Sequence, residues 1–507
     1  MAPPTSDRRK THVARRDAAH TPSRRARRAT SVLVVALLLV AGAVYGWRDG
    51  ALEDLVDGVL EPAPSTPTSP AEVAPPDGLD LPEVAEPDAV AAASARRSTP
   101  DPAAIEAALA PYLTDPDLGG RVLGRVEPLA GARPASTWTR GGGTGTPASL
   151  TKVVTTTAAL LAMDPATTFA TTAVATGGRG TTRQVVLVGG GDPFLERAPR
   201  TTDGADWPDP ARADLRTLAE RTAAALTADG VTRVRLGFDD SLFTGPAVNP
   251  SWEADYVPEG VVSPTSALWV DEGRTLSRFS RVSDPAAEAG AVFARALRRE
   301  GLQVPGAPTR RTAPADAREL ARVESAPLSQ VVERVLQVSD NEAAEVLLRH
   351  VGLAADGTAS TAAGRRAVRR LLAEEGVRLG DSVFDDGSGL SRANLAEPRT
   401  LVDVLRLAAS EDHPDLRAVV TGLPVAGFDG SLADRLDEGP PAALGRVRAK
   451  TGTLTGVTSL AGLATDRDGE VLVFVLLADR ITRETALTGR QALDAVAGAL
   501  GACRCAS

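Results

Sequence analysis

The longest uncharged stretch of the chain lies near its start. Residues 29–47, with the core SVLVVALLLVAGAVYGW, carry no charged side chain. A run of this length fits one membrane-spanning helix, which needs about 17–25 residues. Residues 1–28 contain nine Lys or Arg and two Asp, so the positive-inside rule places this basic tail in the cytoplasm and the rest of the chain outside. A signal peptide cleaved near residues 41–43 is the alternative; we favour an uncleaved anchor, and either one exports the remainder.

Residues 48–100 lose the apolar pattern. Pro, Ala and acidic residues dominate, as in EPAPSTPTSPAEVAPPDGLDLPEVAEPDAV. Such a composition buries too little apolar surface to fold, and its prolines favour an extended chain. This segment is expected to be a disordered stalk between the membrane anchor and a folded part.

Periodic patterns resume after residue 100. Residues 103–112 have the pattern of a helix, and RVLGRVEPL and ASTWTR alternate like the strands of a hairpin. A Gly/Thr/Pro loop then precedes SLTKVVTTTAALLAM, which predicts a helix that begins at Ser149. Near the end of the chain, RVRAKTGTLTG, TSLAGLATD and EVLVFVLLADR predict three strands, followed by a closing helix in ALTGRQALDAVAGALG. An antiparallel sheet flanked by the first and last helices is an α+β arrangement.

The middle of the chain has a different pattern. QVVLVGGG and TRVRLGF predict strands, and ARADLRTLAERTAAALTADG and DPAAEAGAVFARALRREG predict amphipathic helices that end at Gly. We therefore expect an inserted α/β module over residues 171–320. It would divide the main domain into residues 101–170 and 321–502.

Composition narrows the possible functions. The 507 residues carry a net charge of −9, and no basic face that would suit a nucleic-acid partner is evident. The two cysteines, Cys503 and Cys505, stand near the chain end; an inert tail is favoured over a local disulfide or a metal or thiol site. No His/Cys cluster predicts a metal site, and no cofactor is expected. The exported histidines, His350 and His413, are expected to be structural, which argues against a Ser-His-Asp triad.

Lysine is scarce, with only Lys10, Lys152 and Lys450 among 56 basic Lys and Arg residues. Each exported lysine therefore has a role that arginine cannot fill, such as losing its proton. Ser149 and Lys152 share one helix face, near the positive end of the helix dipole. A serine there can attack a carbonyl while a neighbouring amine with a lowered pKa takes its proton. The alternative is that Ser149 merely caps the helix and Lys152 faces solvent.

Two further motifs follow. Lys450 opens K-T-G-T on a predicted strand, whose edge suits pairing with a peptide substrate. Ser339-Asp340-Asn341 lies between two helices predicted in LSQVVERVLQ and NEAAEVLLRHVG. There a hydroxyl can move protons and an amide can hold a substrate amide. For this second motif the alternative is a capping box in which Ser339 and Glu342 simply start a helix.

The three motifs together, in this order, resemble the penicillin-recognising serine acyltransferases: S-x-x-K, then S-D-N, then K-T-G. DDGSGLSRANLAEP (385–398), LPVAGFDGSL (423–432), VLVGGGDPFL (186–195) and FDDSLFTGP (238–246) are similar to segments of the class C low-molecular-mass penicillin-binding proteins. The resemblance implies a penicillin-binding-protein/β-lactamase-like transpeptidase domain. It also implies D-alanyl-D-alanine carboxypeptidase activity, and in some members endopeptidase activity, on peptidoglycan stem peptides, with β-lactams as covalent inhibitors.

The resemblance also implies roles for residues at matching positions. Ser149 would be the acylated nucleophile, Lys152 its general base and Ser339 a proton relay. Substrate binding would fall to Asn341, Lys450, Thr451, Gly452 and Thr453, with the N–H groups of Ser149 and Thr453 as the oxyanion hole. Residues 386–389 resemble a family signature but equally fit a tight turn. A β-lactamase and a non-catalytic wall-binding protein are the rival interpretations.

Overall fold

The structure is a computed structural model that describes residues 99–131, 134–200, 210–437 and 443–505. The predicted cytoplasmic tail, the anchor at residues 29–47 and almost all of the predicted stalk lie outside the described residues. Among the residues that are described, no helix combines the length and the hydrophobicity that crossing a membrane requires.

The first of two sheets is fully antiparallel. Its five strands run in the order β2-β1-β10-β9-β8. They are β1 (Val122–Pro128), β2 (Trp138–Arg140), β8 (Val447–Leu454), β9 (Val457–Thr465) and β10 (Val471–Ala478). The predicted hairpin and the three predicted late strands are thus present, and β8, which carries the K-T-G motif, lies at the sheet edge.

Both faces of this sheet are covered. Along β10, Phe474 and Leu476 pack towards α1 (Pro102–Leu113) and α10 (Ala486–Ala502), whereas Val473 and Val475 face a second, larger core. Alternate side chains of a strand point to opposite faces, so a strand buried on both sides becomes a continuous apolar run. The predicted α+β plan, an antiparallel sheet flanked by helices, is confirmed.

The larger core is helical. Its helices are α2 (Thr151–Ala162), α5 (Leu328–Val338), α6 (Asn341–Asp356), α7 (Thr361–Glu374), α8 (Pro398–Ala408) and α9 (Arg417–Thr421). Helix α2 is central, because every side chain from Thr151 to Leu160 is buried. Helices α7, α8 and α9 have no counterpart among the predicted elements. For α7 the reason is a buried face made mostly of small residues: a Cβ on Gly364 would lie 2.1 Å from the Leu348 carbonyl oxygen of α6.

The second sheet is mixed and has its own core. Its strands run in the order β6-β5-β4-β3-β7, with β4, β5 and β6 parallel and β3 antiparallel to both of its neighbours. They are β3 (Ala170–Arg179), β4 (Thr182–Val188), β5 (Arg233–Asp239), β6 (Thr309–Arg310) and β7 (Arg318–Glu324). Helices α3 (Leu215–Ala228) and α4 (Pro285–Arg299) contribute to the same core. The strands and helices predicted for the middle of the chain all occur here.

Two expectations from the sequence are wrong. The helix at the S-x-x-K motif does not begin at Ser149, because residues Ala148–Leu150 form a short 3-10 turn and the α-helix begins at Thr151. The two cysteines are not an inert tail, since Cys503 and Cys505 form a disulfide and Cys505 is fully buried. The Cys505 carbonyl also accepts a hydrogen bond of 2.8 Å from the Asp101 N–H, which ties the chain end to the start of α1.

Candidate active site

The Ser149 turn is held in an unusual backbone conformation. We name Ala148–Leu150 the nucleophile turn; Ala148 is fully buried and has a φ of 49°, a region that non-glycine residues rarely adopt. Gly389, with a φ of 87°, packs directly against this turn. A Cβ on Gly389 would lie 1.9 Å from the Ala148 carbonyl oxygen and 3.0 Å from the Ser149 nitrogen. The surrounding chain therefore fixes the position of Ser149.

Lys152 is the chemical centre of the site. It is fully buried on the first turn of α2, and its Nζ lies 3.0 Å from Ser149 Oγ. The same Nζ donates to Asn341 Oδ1 at 2.7 Å and to the Ser388 carbonyl at 2.7 Å. Burial lowers the pKa of Lys152 to about 8, although nearby carboxylates, first among them Asp386, oppose the shift. An amine with this pKa holds a usable fraction of the neutral, proton-accepting form near neutral pH.

The S-D-N motif reaches the same lysine. Asn341 begins α6, accepts the hydrogen bond from Lys152 and donates from Nδ2 to the Val261 carbonyl at 3.2 Å. The capping-box alternative, in which Ser339 caps this helix, is wrong. The N-cap is Asp340, whose carboxylate accepts a hydrogen bond of 2.9 Å from the Ala343 N–H. Ser339 is half-buried and ends α5 with a left-handed φ of 62°.

The K-T-G motif packs against the nucleophile turn. A Cβ on Gly452 would lie 2.7 Å from the Pro147 carbonyl oxygen and 2.1 Å from Ser459 Oγ. Only glycine therefore lets β8 pack this closely against residue 147, which directly precedes the nucleophile turn. Lys450 is fully buried and donates to the Thr451 carbonyl at 2.8 Å. Burial, and then the cation of Lys152, hold the pKa of Lys450 well below its usual value.

The outer edge of β8 has no strand partner beside Thr451 and Thr453 among the described residues. The backbone groups of Val447 and Ala449 point outwards and pair with residues 424–426. Backbone groups on one edge of an antiparallel strand alternate with a period of two residues, so those of Thr451 and Thr453 also point to the outer edge. No other described strand borders that edge. A peptide laid along β8 can therefore pair with Thr451 and Thr453.

The 385–391 loop is a larger part of the site than the sequence suggested. Its Ser388 carbonyl accepts from Lys152, and its Asp386 carboxylate accepts the N–H groups of Gly389 and Ser391 at 2.8 and 2.7 Å. The tight turn considered as the alternative for residues 386–389 is real, but the turn also positions the general-base candidate. The two adjacent aspartates and the two glycines were the available signal.

Glu345 had no distinct signal in the sequence. It is buried one helical turn after Asn341 on α6, and its Oε1 accepts the N–H groups of Gly387 and Ser388 at 3.0 and 2.8 Å. Burial, together with the nearby Asp386 carboxylate, raises the pKa of Glu345 to about 8. Glu345 thus anchors the loop whose carbonyl holds Lys152.

The middle part of the chain also contributes to the site. Trp252 Nε1 donates to Asp386 Oδ2 at 2.9 Å, and the Val261 carbonyl accepts from Asn341. Arg281 pairs with Glu342 of α6 at 2.8 Å, with both side chains only 2% exposed. These contacts attach residues 252–281 to the catalytic helices, which the sequence did not predict.

Two groups of side chains come close enough to suggest metal binding. Glu272, Asp340 and Glu342 approach one another, but Arg274 pairs with both glutamates and Arg281 pairs with Glu342, so the group is part of an ion-pair network. The second group contains Asp466 and the two cysteines, whose sulfurs are joined in the disulfide.

His350 lies in the core rather than among these catalytic candidates. Its ring stacks on Phe169 with centroids 4.0 Å apart, and Nε2 lies 2.9 Å from the Gly191 carbonyl oxygen. Burial lowers the pKa of His350 to about 4, which leaves the ring neutral at physiological pH. The expectation of a structural histidine agrees with this environment.

Comparison with known proteins identifies the class. The model of the D-Ala-D-Ala carboxypeptidase 3 (S13) family matches residues 105–281 and 275–500. Carboxypeptidase Rv3627c of Mycobacterium tuberculosis is 38% identical over 418 residues, which cover 80% of this chain and 86% of that protein. Carboxypeptidase DacB of Mycolicibacterium smegmatis is 35% identical over 508 residues, which cover 99% of each chain.

Among solved structures, penicillin binding protein 4 (dacB) from Haemophilus influenzae has a similar fold. The TM-score is 0.62 at 22% sequence identity, with 77% of this chain and 98% of the other covered. The class is therefore that of the carboxypeptidases with a penicillin-binding-protein fold. The chain belongs to the D-Ala-D-Ala carboxypeptidase 3 (S13) family, and the predicted family resemblance and D-alanyl-D-alanine carboxypeptidase function are confirmed.

Proposed function

We propose that this carboxypeptidase acts through a covalent acyl-enzyme on Ser149. The observation that carries the proposal is the 3.0 Å contact between Ser149 Oγ and Lys152 Nζ, an amine whose pKa is lowered by burial to about 8. The substrate is a peptidoglycan stem peptide that ends in D-alanyl-D-alanine. β-Lactams would acylate the same serine.

In the first step, neutral Lys152 takes the proton of Ser149 Oγ as the oxygen attacks the carbonyl carbon of the penultimate D-alanine. The negative charge that develops on the carbonyl oxygen accepts hydrogen bonds from the N–H groups of Ser149 and Thr453. Support comes from the outer edge of β8 at Thr453, which no described strand borders, and from the nucleophile turn, against which Gly389 packs closely.

In the second step, the C–N bond breaks and the amine of the terminal D-alanine receives the proton from Lys152 through Ser339. The leaving D-alanine carboxylate is held by the Thr451 hydroxyl and by the Lys450 ammonium, because a bound carboxylate favours the protonated amine and so opposes the effect of burial on its pKa. Asn341 holds the preceding amide and Gly452 keeps β8 close. Water then attacks the acyl carbon, with Lys152 again as the base, and releases the shortened peptide.

We also propose that residues 29–47 anchor the chain in the cell membrane, with the catalytic part extracytoplasmic at the end of a linker over residues 48–100. Supporting this is the excess of Lys and Arg before the apolar run. Residues 101–170 and 321–502 would form the catalytic domain and residues 171–320 the inserted domain. The separate hydrophobic core of the second sheet supports that division.

The test is release of D-alanine from a stem pentapeptide by the purified full-length chain. Wild type is expected to release D-alanine, and Ser149→Ala and Lys152→Arg are expected to lose at least 1,000-fold in kcat/KM, about 4 kcal/mol. Ser277→Ala, at an exposed serine, is the matched control and is expected to keep full activity. Release by Ser149→Ala at the wild-type rate would overturn the proposed nucleophile.

A further inference from the structure

The segment LPVAGFDGSL, residues 423–432, forms a loop that is attached to the outer edge of β8. The Ala449 N–H of β8 donates to the Pro424 carbonyl of the loop at 2.9 Å. Within the loop, Asp429 Oδ1 accepts a hydrogen bond of 2.6 Å from the Val425 N–H. The loop is therefore fixed to the strand that carries the K-T-G motif.

The same loop is also packed against the end of α5. Gly430 has a φ of 53°, and a Cβ on this residue would lie 2.6 Å from the Gln337 carbonyl oxygen. Gln337 lies two positions before Ser339 of the S-D-N motif. Because one end of the loop is held by β8 and the other by α5, the position of the residue that follows Gly430 is determined by both motifs.

That residue is Ser431, which places a hydroxyl beside the K-T-G motif. Its Oγ lies 3.1 Å from Thr451 Oγ1, and Thr451 is only 7% exposed. Within the part of the chain that the structure describes, this contact is the one hydrogen bond that either hydroxyl makes. Two hydroxyl groups carry two protons, and a single hydrogen bond uses one of them, so the pair has one proton left to donate.

The chemistry of the substrate determines which hydroxyl donates that proton. A carboxylate only accepts hydrogen bonds, so a hydroxyl that holds it must donate. Thr451 can donate to a carboxylate and keep its contact with Ser431 only when Ser431 is the donor between the two hydroxyls. A hydroxyl that accepts a hydrogen bond is polarised towards donating one, and hydrogen bonds to a charged group are roughly twice as strong as neutral ones.

We propose that Ser431 is a positioning residue for recognition of the free C-terminal carboxylate of the substrate. Its hydroxyl donates to Thr451 Oγ1 and thereby directs the Thr451 proton towards that carboxylate. The inference rests on the proposed function, in which Thr451 holds the carboxylate of the leaving D-alanine. Ser431 acts through Thr451 and does not itself contact the substrate.

The experiment is a double-mutant cycle on release of D-alanine from the stem pentapeptide. It measures kcat/KM for the full-length wild type, Ser431→Ala, Thr451→Val and the double variant. Two residues that act as a unit give non-additive effects, whereas independent contacts with the substrate give additive ones. Ser431→Thr keeps the hydroxyl, and Ser277→Ala removes an exposed serine hydroxyl elsewhere. Urea unfolding of each variant checks that its stability is unchanged.

We expect Ser431→Ala to lower kcat/KM about 10-fold in the wild type, the effect of losing one hydrogen bond in a chain that ends on an anion. In the Thr451→Val background the same change should cost less than twofold. Ser431→Thr should stay within about threefold of wild type, and Ser277→Ala should equal it.

Three results would overturn the inference: no loss in Ser431→Ala, an equal loss in both backgrounds, or a loss in Ser431→Thr as large as that in Ser431→Ala. The second of these would mean that Ser431 acts independently of Thr451, and the third that its hydroxyl is not the group that matters. A wild type that releases no D-alanine would instead overturn the proposed function.

Discussion

The sharpest test of the Lys152 assignment is to place a negative charge beside its amine. Asn341→Asp is nearly isosteric and replaces the amide oxygen that lies 2.7 Å from Lys152 Nζ with a carboxylate oxygen. An opposite charge at such a distance raises an amine pKa by about 1–3 units, because it stabilises the protonated form. The pKa of Lys152, about 8 in the wild type, would then rise to between roughly 9 and 11.

The kinetic consequence depends on pH. With a shift of two units, the neutral fraction of Lys152 at pH 7 falls about 90-fold, whereas at pH 9.5 it falls only about fourfold. The rate of acylation by a fluorescent penicillin, measured from pH 6 to 9.5, reports this fraction. The wild-type rate should rise with pH to a plateau above about pH 8, and the acid limb of Asn341→Asp should move to higher pH.

A control separates this effect from loss of substrate binding. Asn341→Leu removes the same amide contacts but adds no charge, so its deficit should not shrink as the pH rises. The reasoning is refuted if Asn341→Asp loses the same factor at pH 7 and pH 9.5. A wild-type rate that stays flat from pH 6 to 9 would also refute Lys152 as the base.

Three further changes test the surroundings of the nucleophile. Gly389→Ala should abolish penicillin labelling because its Cβ displaces the nucleophile turn. Gly357→Ala is the control: its φ is similarly positive but its surroundings are open, so it should keep labelling and lose only about 1–2 kcal/mol of unfolding free energy. Relative to wild type, Glu345→Gln should gain stability from about pH 4.5 to about pH 8 and no more above it, because the carboxyl ionises in the unfolded chain over this range while burial keeps it protonated in the folded protein. Exposed Glu300→Gln is the control in the same urea unfolding. Arg281→Met removes the nearer of the two cations that pair with buried Glu342 and leaves only Arg274 at 3.7 Å, so it should cost up to about 3–5 kcal/mol in the same assay; a loss under 1 kcal/mol would contradict the ion-pair account.

The elements predicted from the sequence are those with large apolar side chains at their buried positions. Strand β10 is apolar throughout because both of its faces are covered, and α10 closes the chain where its pattern indicated. Strand β3 and helix α7 were not predicted because Ala, Thr and Gly fill most of their buried positions. Small residues give little hydrophobic contrast, although their size is what allows close packing.

Only part of the candidate site could be predicted from the sequence. Lys152 and Lys450 could be found because arginine replaces lysine nearly everywhere else in this chain. The Ser388 carbonyl could not, because a backbone group has no sequence signature and lies 236 positions from Lys152. Glu345 and Trp252 act through other residues, so only the folded chain reveals their contact with the 385–391 loop.

The central claim is that Ser149 forms a covalent acyl-enzyme. The most direct measurement incubates the full-length chain and Ser149→Ala with a fluorescent penicillin and follows the protein-bound label over time. The account predicts a stable label on the wild type and none on Ser149→Ala. Equal labelling of Ser149→Ala, or no label on folded wild type, would contradict the claim. Label that forms and rapidly vanishes as hydrolysed antibiotic accumulates would contradict the carboxypeptidase account in favour of a β-lactamase.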